Sequence, residues 1–282
     1  MSAIDTTGPA LMIPRLGAAD GERVRVTQWR VIRSEWVKMR TLRSSWLIIA
    51  IAIVSLVGVG LAISWSTVND WTHMRSRERA HFNPLADPLA GFYLAQLAIG
   101  VLGVLLIASE YSGGMIRASL AAVPKRLPML WAKLVVFVTA TFVTMLPVVI
   151  VTFFVCQRML SARHIQTTWS TPNVARTVIG IGLYLTVVAA LAIGLGAIVR
   201  NVAGAIGVFV GVILVLPVVA TALPATWANR TNKWLPSNAG QALLSIGSES
   251  TTLSPWRGFA VFCGYAALAV VAAAVLLRRR DA

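Results

Sequence analysis

Three features of this sequence predict an all-α, polytopic membrane protein. Hydrophobic residues fill 57% of its 282 positions and charged residues 12%, about half the charged share of soluble domains. Mean hydropathy is +0.75. Six apolar runs, at 46–65, 90–109, 130–155, 177–199, 202–223 and 256–277, each reach the roughly 20 residues needed to cross about 30 Å of hydrocarbon.

Residues 1–26 mix Gly, Pro, Thr and charge without periodicity, which predicts a disordered cytoplasmic tail. Between 27 and 45 the pattern changes. Trp29, Ile32, Trp36, Met39, Leu42 and then Trp46 recur at spacings of three and four, with Arg30, Arg33, Lys38 and Arg40 off that stripe and Arg43 at its edge. The expectation is an amphipathic interface helix along the inner leaflet. A cytosolic helix packed on a partner is the alternative.

The spans at 46–277 form the transmembrane domain, followed by a basic C-terminus at 278–282. An even number of crossings puts both termini on one side. Most of the 25 Lys and Arg fall in the tail, the 109–133 connection, Arg200 and the last few residues, so the positive-inside bias predicts cytoplasmic termini. Trp46, Trp65, Trp131 and Trp256 mark run ends, where an amphipathic ring favours the headgroup zone. Pro147 and Pro217 are expected to kink the third and fifth spans. Arg200-Asn201 alone links the fourth and fifth, which requires a tight antiparallel hairpin. Ala203, Gly207 and Gly211 form a small-residue ridge on the fifth span, fit for close helix approach within one subunit or between two. Two pieces of the last outer loop, 225–234 and 239–246, are apolar enough to dip into the outer leaflet as short re-entrant helices.

Several chemistries are excluded or unsupported. The formal charge of +15 is explained by the membrane rather than by nucleic acid. None of Lys38, Lys125, Lys133 or Lys233 follows a glycine, so there is no P-loop. The spans hold no Asp, Glu or His at depth, as ion-coupled transport usually requires; Glu110 and Lys133 come near only at the inner boundary. His73, His81 and His164 stand in outer loops without partners, and Cys156 and Cys263 have no ligand spacing. Neither a catalytic constellation nor a metal site is expected.

The segment from Glu110 to Arg126 is polar and basic between two apolar runs. Gly113-Gly114 precedes a short helical run, 115–123, which Pro124 ends before Lys125-Arg126. Such an elbow can dock on a cytosolic partner as a rigid lever, with Arg117, Lys125 and Arg126 available to acidic groups. A carboxylate at the hydrocarbon boundary, Glu110, is costly unless paired or hydrogen-bonded.

Ser109-Glu110-Tyr111-Ser112, Gly114, Ile116-Arg117, Leu120 and Pro124 to Arg126 resemble the coupling segment of a known family, the permease subunits of type-2 exporters among ATP-binding-cassette (ABC) transporters. Ser34 to Lys38 with Arg40 to Arg43 resembles its interface helix, and Leu235 to Gly240 its last outer loop. At Gly113 to Met115 the sequence departs from the Gly-Thr of many relatives. The resemblance implies a short cytoplasmic coupling helix between spans two and three, with Glu110, Gly113, Gly114, Arg117, Leu120, Pro124, Lys125 and Arg126 serving ATPase coupling. Trp29, Arg33, Trp36, Lys38, Arg40 and Arg43 would belong to the interface helix. It implies two ABC ATPase subunits that carry the ATP and Mg, none of it bound by this chain, and a second permease, identical or related, in a bacterial plasma membrane. Uncharged spans point to an amphipathic or hydrophobic cargo such as a drug, peptide antibiotic or lipid-like molecule. The competing reading is a non-transporting scaffold or sensor that binds a ligand through its outer loops.

Overall fold

The computed structural model describes residues 27–112, 126–222, 224, 230–245 and 252–279. Among these residues six helices are long and apolar enough to cross a membrane: Arg43–Asp70, Asp87–Tyr111, Leu127–Arg163, Val174–Val199, Val202–Thr221 and Pro255–Arg279. They overlay the six predicted runs and mostly outlast them, because helical hydrogen bonding does not stop where apolar sequence does. In chain order we label α1 (Gln28–Thr41), α2 (Arg43–Asp70), α3 (Ser76–His81), α4 (Phe92–Ser112), α5 (Arg126–Leu160), α6 (Val174–Val199), α7 (Val202–Thr221), α8 (Pro236–Gln241) and α9 (Pro255–Arg279).

The hub is α6, which packs against α4, α5 and α9. Its glycines set those distances: a Cβ on Gly196 would lie 2.6 Å from Ile107 of α4, and one on Gly194 2.8 Å from Ala269 of α9. Near the other end, Tyr184 is fully buried between Phe92 and Phe262 and donates its hydroxyl to Gln96 Oε1 at 2.6 Å. That bond matters because a buried amide in an apolar bundle has no water to turn to.

Arg200 closes the α6–α7 hairpin in a left-handed conformation, φ 59°, its N–H donating to Gly196 O at 3.0 Å. Asn201 then caps α7 by accepting from Gly204 N at 2.9 Å. The expected tight link is therefore built from both residues. Pro147 lies inside α5, which runs unbroken as a helix. Pro217 acts differently. Lacking an N–H, it follows a π-helical turn, Gly211–Val215, that widens α7 where one hydrogen bond cannot form.

Between α7 and α9, α8 and the 3₁₀ turn Ala242–Leu244 fold back against α6 and α9. Ser237, Ala239 and Leu243 are buried there. The second of the two expected re-entrant pieces thus packs on protein, while residues 225–229 of the first lie outside the described residues.

Candidate functional site

The site grows from one face of α1. Val31, Glu35 and Met39 recur every four residues, and Val31 and Met39 are buried against the rest of the chain, so Glu35 is carried into the middle of a buried stripe. α1 lies along the start of α5, where Gln28 Nε2 donates to Pro128 O at 2.9 Å. The next turn of α5 brings Lys133, 4% exposed, under α1. Glu110, 2% exposed, enters from the last turn of α4.

These side chains form one charged cluster. Lys133 Nζ donates to Glu35 Oε2 at 2.6 Å and to Glu110 Oε1 at 2.8 Å, and Lys38 Nζ also pairs with Glu110 Oε1. Two ammoniums and two carboxylates sum to neutrality, the condition under which charge is tolerated away from water. The contributions are unequal. Lys38 has a side chain 39% exposed, and screened pairs are worth only about 0–1 kcal/mol. Lys133 and Glu110 are interior, and removing one partner of such a pair typically costs about 3–5 kcal/mol. Glu110 Oε2 is buried with no hydrogen-bond partner among the described residues.

A second contact holds the same helix end. The Arg200 guanidinium lies over the Tyr111 ring, 5.1 Å from its centroid, and its Nη2 donates to Leu276 O at 3.4 Å. The α6–α7 hairpin is thereby attached to the residue after Glu110, and through it to the elbow.

Of the residues expected to serve coupling, Glu110 sits at the centre of this cluster. Gly113, Gly114, Arg117, Leu120, Pro124 and Lys125 lie outside the described residues, and Arg126 opens α5. On α1, Lys38 joins the cluster, while Trp29, Arg33, Trp36 and Arg40 line the exposed face, with Trp29 70% exposed. Arg43 belongs to α2 rather than to the interface helix, because the chain straightens at Leu42, φ −77° and ψ 113°. Ala203 and Gly207 are exposed on α7, and a Cβ on Gly207 or Gly211 would meet no atom within 4 Å, so the ridge does not pack against the described residues. Sequence periodicity missed Glu35 and undervalued Lys133. A carboxylate four residues from apolar neighbours on both sides was the available signal. No group of His, Cys, Asp or Glu suited to a metal ion occurs among the described residues.

Six long apolar helices among the described residues, with a buried charge cluster where α1, α4 and α5 meet, make this a multi-pass helical membrane protein. A family model described as ABC-2 family transporter protein matches residues 31–218, and the chain belongs to that family. It is accordingly a permease component of an ABC transporter, associated with ABC ATPase subunits. A search of the curated proteins finds no match to it.

Proposed function

We propose that this chain is the permease subunit of an ATP-driven exporter in a bacterial plasma membrane, with both termini cytoplasmic. Two separate ATPase subunits supply ATP and Mg, and a second permease completes the path for an amphipathic or hydrophobic cargo. The observation that carries this reading is the cluster Glu35–Lys133–Glu110–Lys38. It ties α1 and the end of α4, the two parts expected to meet an ATPase, to the base of α5 through one set of buried charges. Displacing the elbow or α1 would disturb a neutral, desolvated group, so the spans must follow. The outward ridge Ala203, Gly207 and Gly211 supports a second permease against α7.

Export and ATPase activity of the reconstituted complex test the proposal. Lys133→Met leaves Glu35 without its ammonium and Glu110 with Lys38 alone, and is expected to destabilise the chain by about 3–5 kcal/mol. Glu110→Gln keeps the shape and leaves Lys133 paired with Glu35. It is expected to fold, bind the ATPase and lose at least about tenfold in export per ATP hydrolysed. Wild-type export by Glu110→Gln, or no ATPase recovered with the intact chain from its native membrane, would overturn the reading.

A further inference from the structure

Away from the charged cluster, a pocket of about 250 Å³ opens between the 3₁₀ turn Asn232–Trp234, α8 and residues 252–253. Its level follows from α9. A Cβ on Gly258 would touch Ala239 and Ala242, one on Gly240 would touch Phe262, and the Tyr265 hydroxyl donates to Trp234 O at 3.1 Å. The pocket therefore lies beside the first three turns of α9. Trp256 on the first turn and Trp234, both exposed, mark that level as a headgroup zone. The cluster belongs to the opposite end: Arg200, stacked on Tyr111, reaches Leu276, roughly 24 Å further along the same helix.

The lining is polar, with Asn232, Lys233, Asn238, Gln241 and Ser245, and it holds no carboxylate among the described residues. Lys233 is half-buried, and its ammonium is neither paired with another described residue nor sealed from the surface. A cation at this level is costly without a counter-charge. The neutral groups around it are only partly used. Asn238 Nδ2 donates to Asn232 O at 3.0 Å and Ser245 Oγ to Ala242 O at 2.8 Å, which leaves Asn238 Oδ1 and a lone pair on Ser245 to accept. Gln241 Oε1 faces the Tyr93 hydroxyl at 3.5 Å, which leaves its amide N–H groups to donate.

One ammonium matches one negative charge. A phosphomonoester carries about −1.5 to −2 at neutral pH and exceeds it, whereas a phosphodiester carries one, and the headgroup zone is where phosphodiesters are abundant. A choline head would set a second cation beside Lys233 and offer the acceptors no donor. The volume equals about eight waters, enough for a compact head with hydroxyls. We propose that this pocket binds a glycerol phosphodiester, its phosphate paired with Lys233 Nζ and its hydroxyls bonded to the Asn238, Gln241 and Ser245 side chains. The site goes beyond the transport reading and does not depend on it.

The test is equilibrium binding to the full chain in maltoside micelles, which carry no phosphate. Radiolabelled short-chain phosphatidylglycerol is expected to fill one saturable site per chain, with phosphatidylcholine of the same chain length at least about tenfold weaker. Lys233→Gln is expected to lose at least about tenfold in affinity, and Lys233→Arg, which keeps the charge, to stay within about threefold of wild type. If Lys233→Gln does not fold, Ser245→Trp, which fills the pocket from its edge, takes its place and is expected to abolish binding. Equal affinity for the two lipids, no saturable binding, or undiminished binding by the folded variant would overturn the proposal. Free glycerophosphoglycerol separates the two sources of this chemistry: its saturable binding marks a soluble ligand, and binding of the lipid alone marks a membrane headgroup. Both outcomes uphold the pocket. Lys233-dependent binding by a chain that exports nothing would overturn the transport reading and leave this one standing.

Discussion

Adjacent spans of one hairpin, α6 and α7, use glycine in opposite ways. In α6, 67% of the apolar stretch is buried against the rest of the chain; in α7 the share is 17%. A Cβ on Gly182, Gly194 or Gly196 would come within 2.8 Å or less of Leu146, Ala269 or Ile107, respectively. The same atom on Gly207 or Gly211 would meet nothing. α7 touches the bundle through buried Ala205, Phe209, Ile213 and Ala220 and turns its ridge outward. Composition is therefore silent about packing: a glycine that admits a neighbour and a glycine that awaits one read alike in sequence. What separates them is which helix already stands opposite.

That contrast can be tested from its strong side first. Gly196→Leu must push α4 from α6, and overpacking of this kind is expected to cost about 3 kcal/mol, seen as a lower unfolding midpoint in detergent. Tyr184→Phe keeps the ring between Phe92 and Phe262 but strips Gln96 of its donor, and should cost about 1–2 kcal/mol by the same measurement. Gly207→Leu is expected to leave the isolated chain within about 0.5 kcal/mol of wild type while abolishing association between permeases in crosslinking. Smallest is Gly207→Ala, which removes helix entropy loss in open space and should stabilise the isolated chain by about 0.5 kcal/mol. A loss for Gly207→Leu as large as that for Gly196→Leu would erase the distinction and place a neighbour against α7 within the chain.

The spans, their order and the α6–α7 hairpin were legible because membrane crossing imposes length and apolarity on local sequence. Glu110 was legible for the converse reason, being a carboxylate where hydrocarbon begins. Its partners were not. Lys133 lies 23 positions away and Lys38 72, so only the docking of α1 on α5 brings them together. The interface helix shows the same limit. Periodicity found an apolar stripe through Trp29, Ile32, Trp36 and Met39, of which Met39 is buried and Ile32 packs on the core while the tryptophans turn outward, and Val31, off that stripe, is buried beside them. Spacing alone cannot say which apolar arc meets protein and which meets lipid. Pro217 announced a break in α7, but the π-helical form of that break depends on which carbonyl relaxes around it.

The single extended residue between α1 and α2 has a mechanical meaning. Leu42 donates its N–H back to Lys38 O at 3.2 Å, and Trp46 Nε1 reaches across the bend to Arg40 O at 2.8 Å. The bend is thus braced on both sides, like a carpenter's square with a strut across its corner. A force that lifts the start of α1 from Pro128 meets these two bonds at the corner. It arrives in α2 as a torque, and the first span tilts or turns as one piece with the helix outside it.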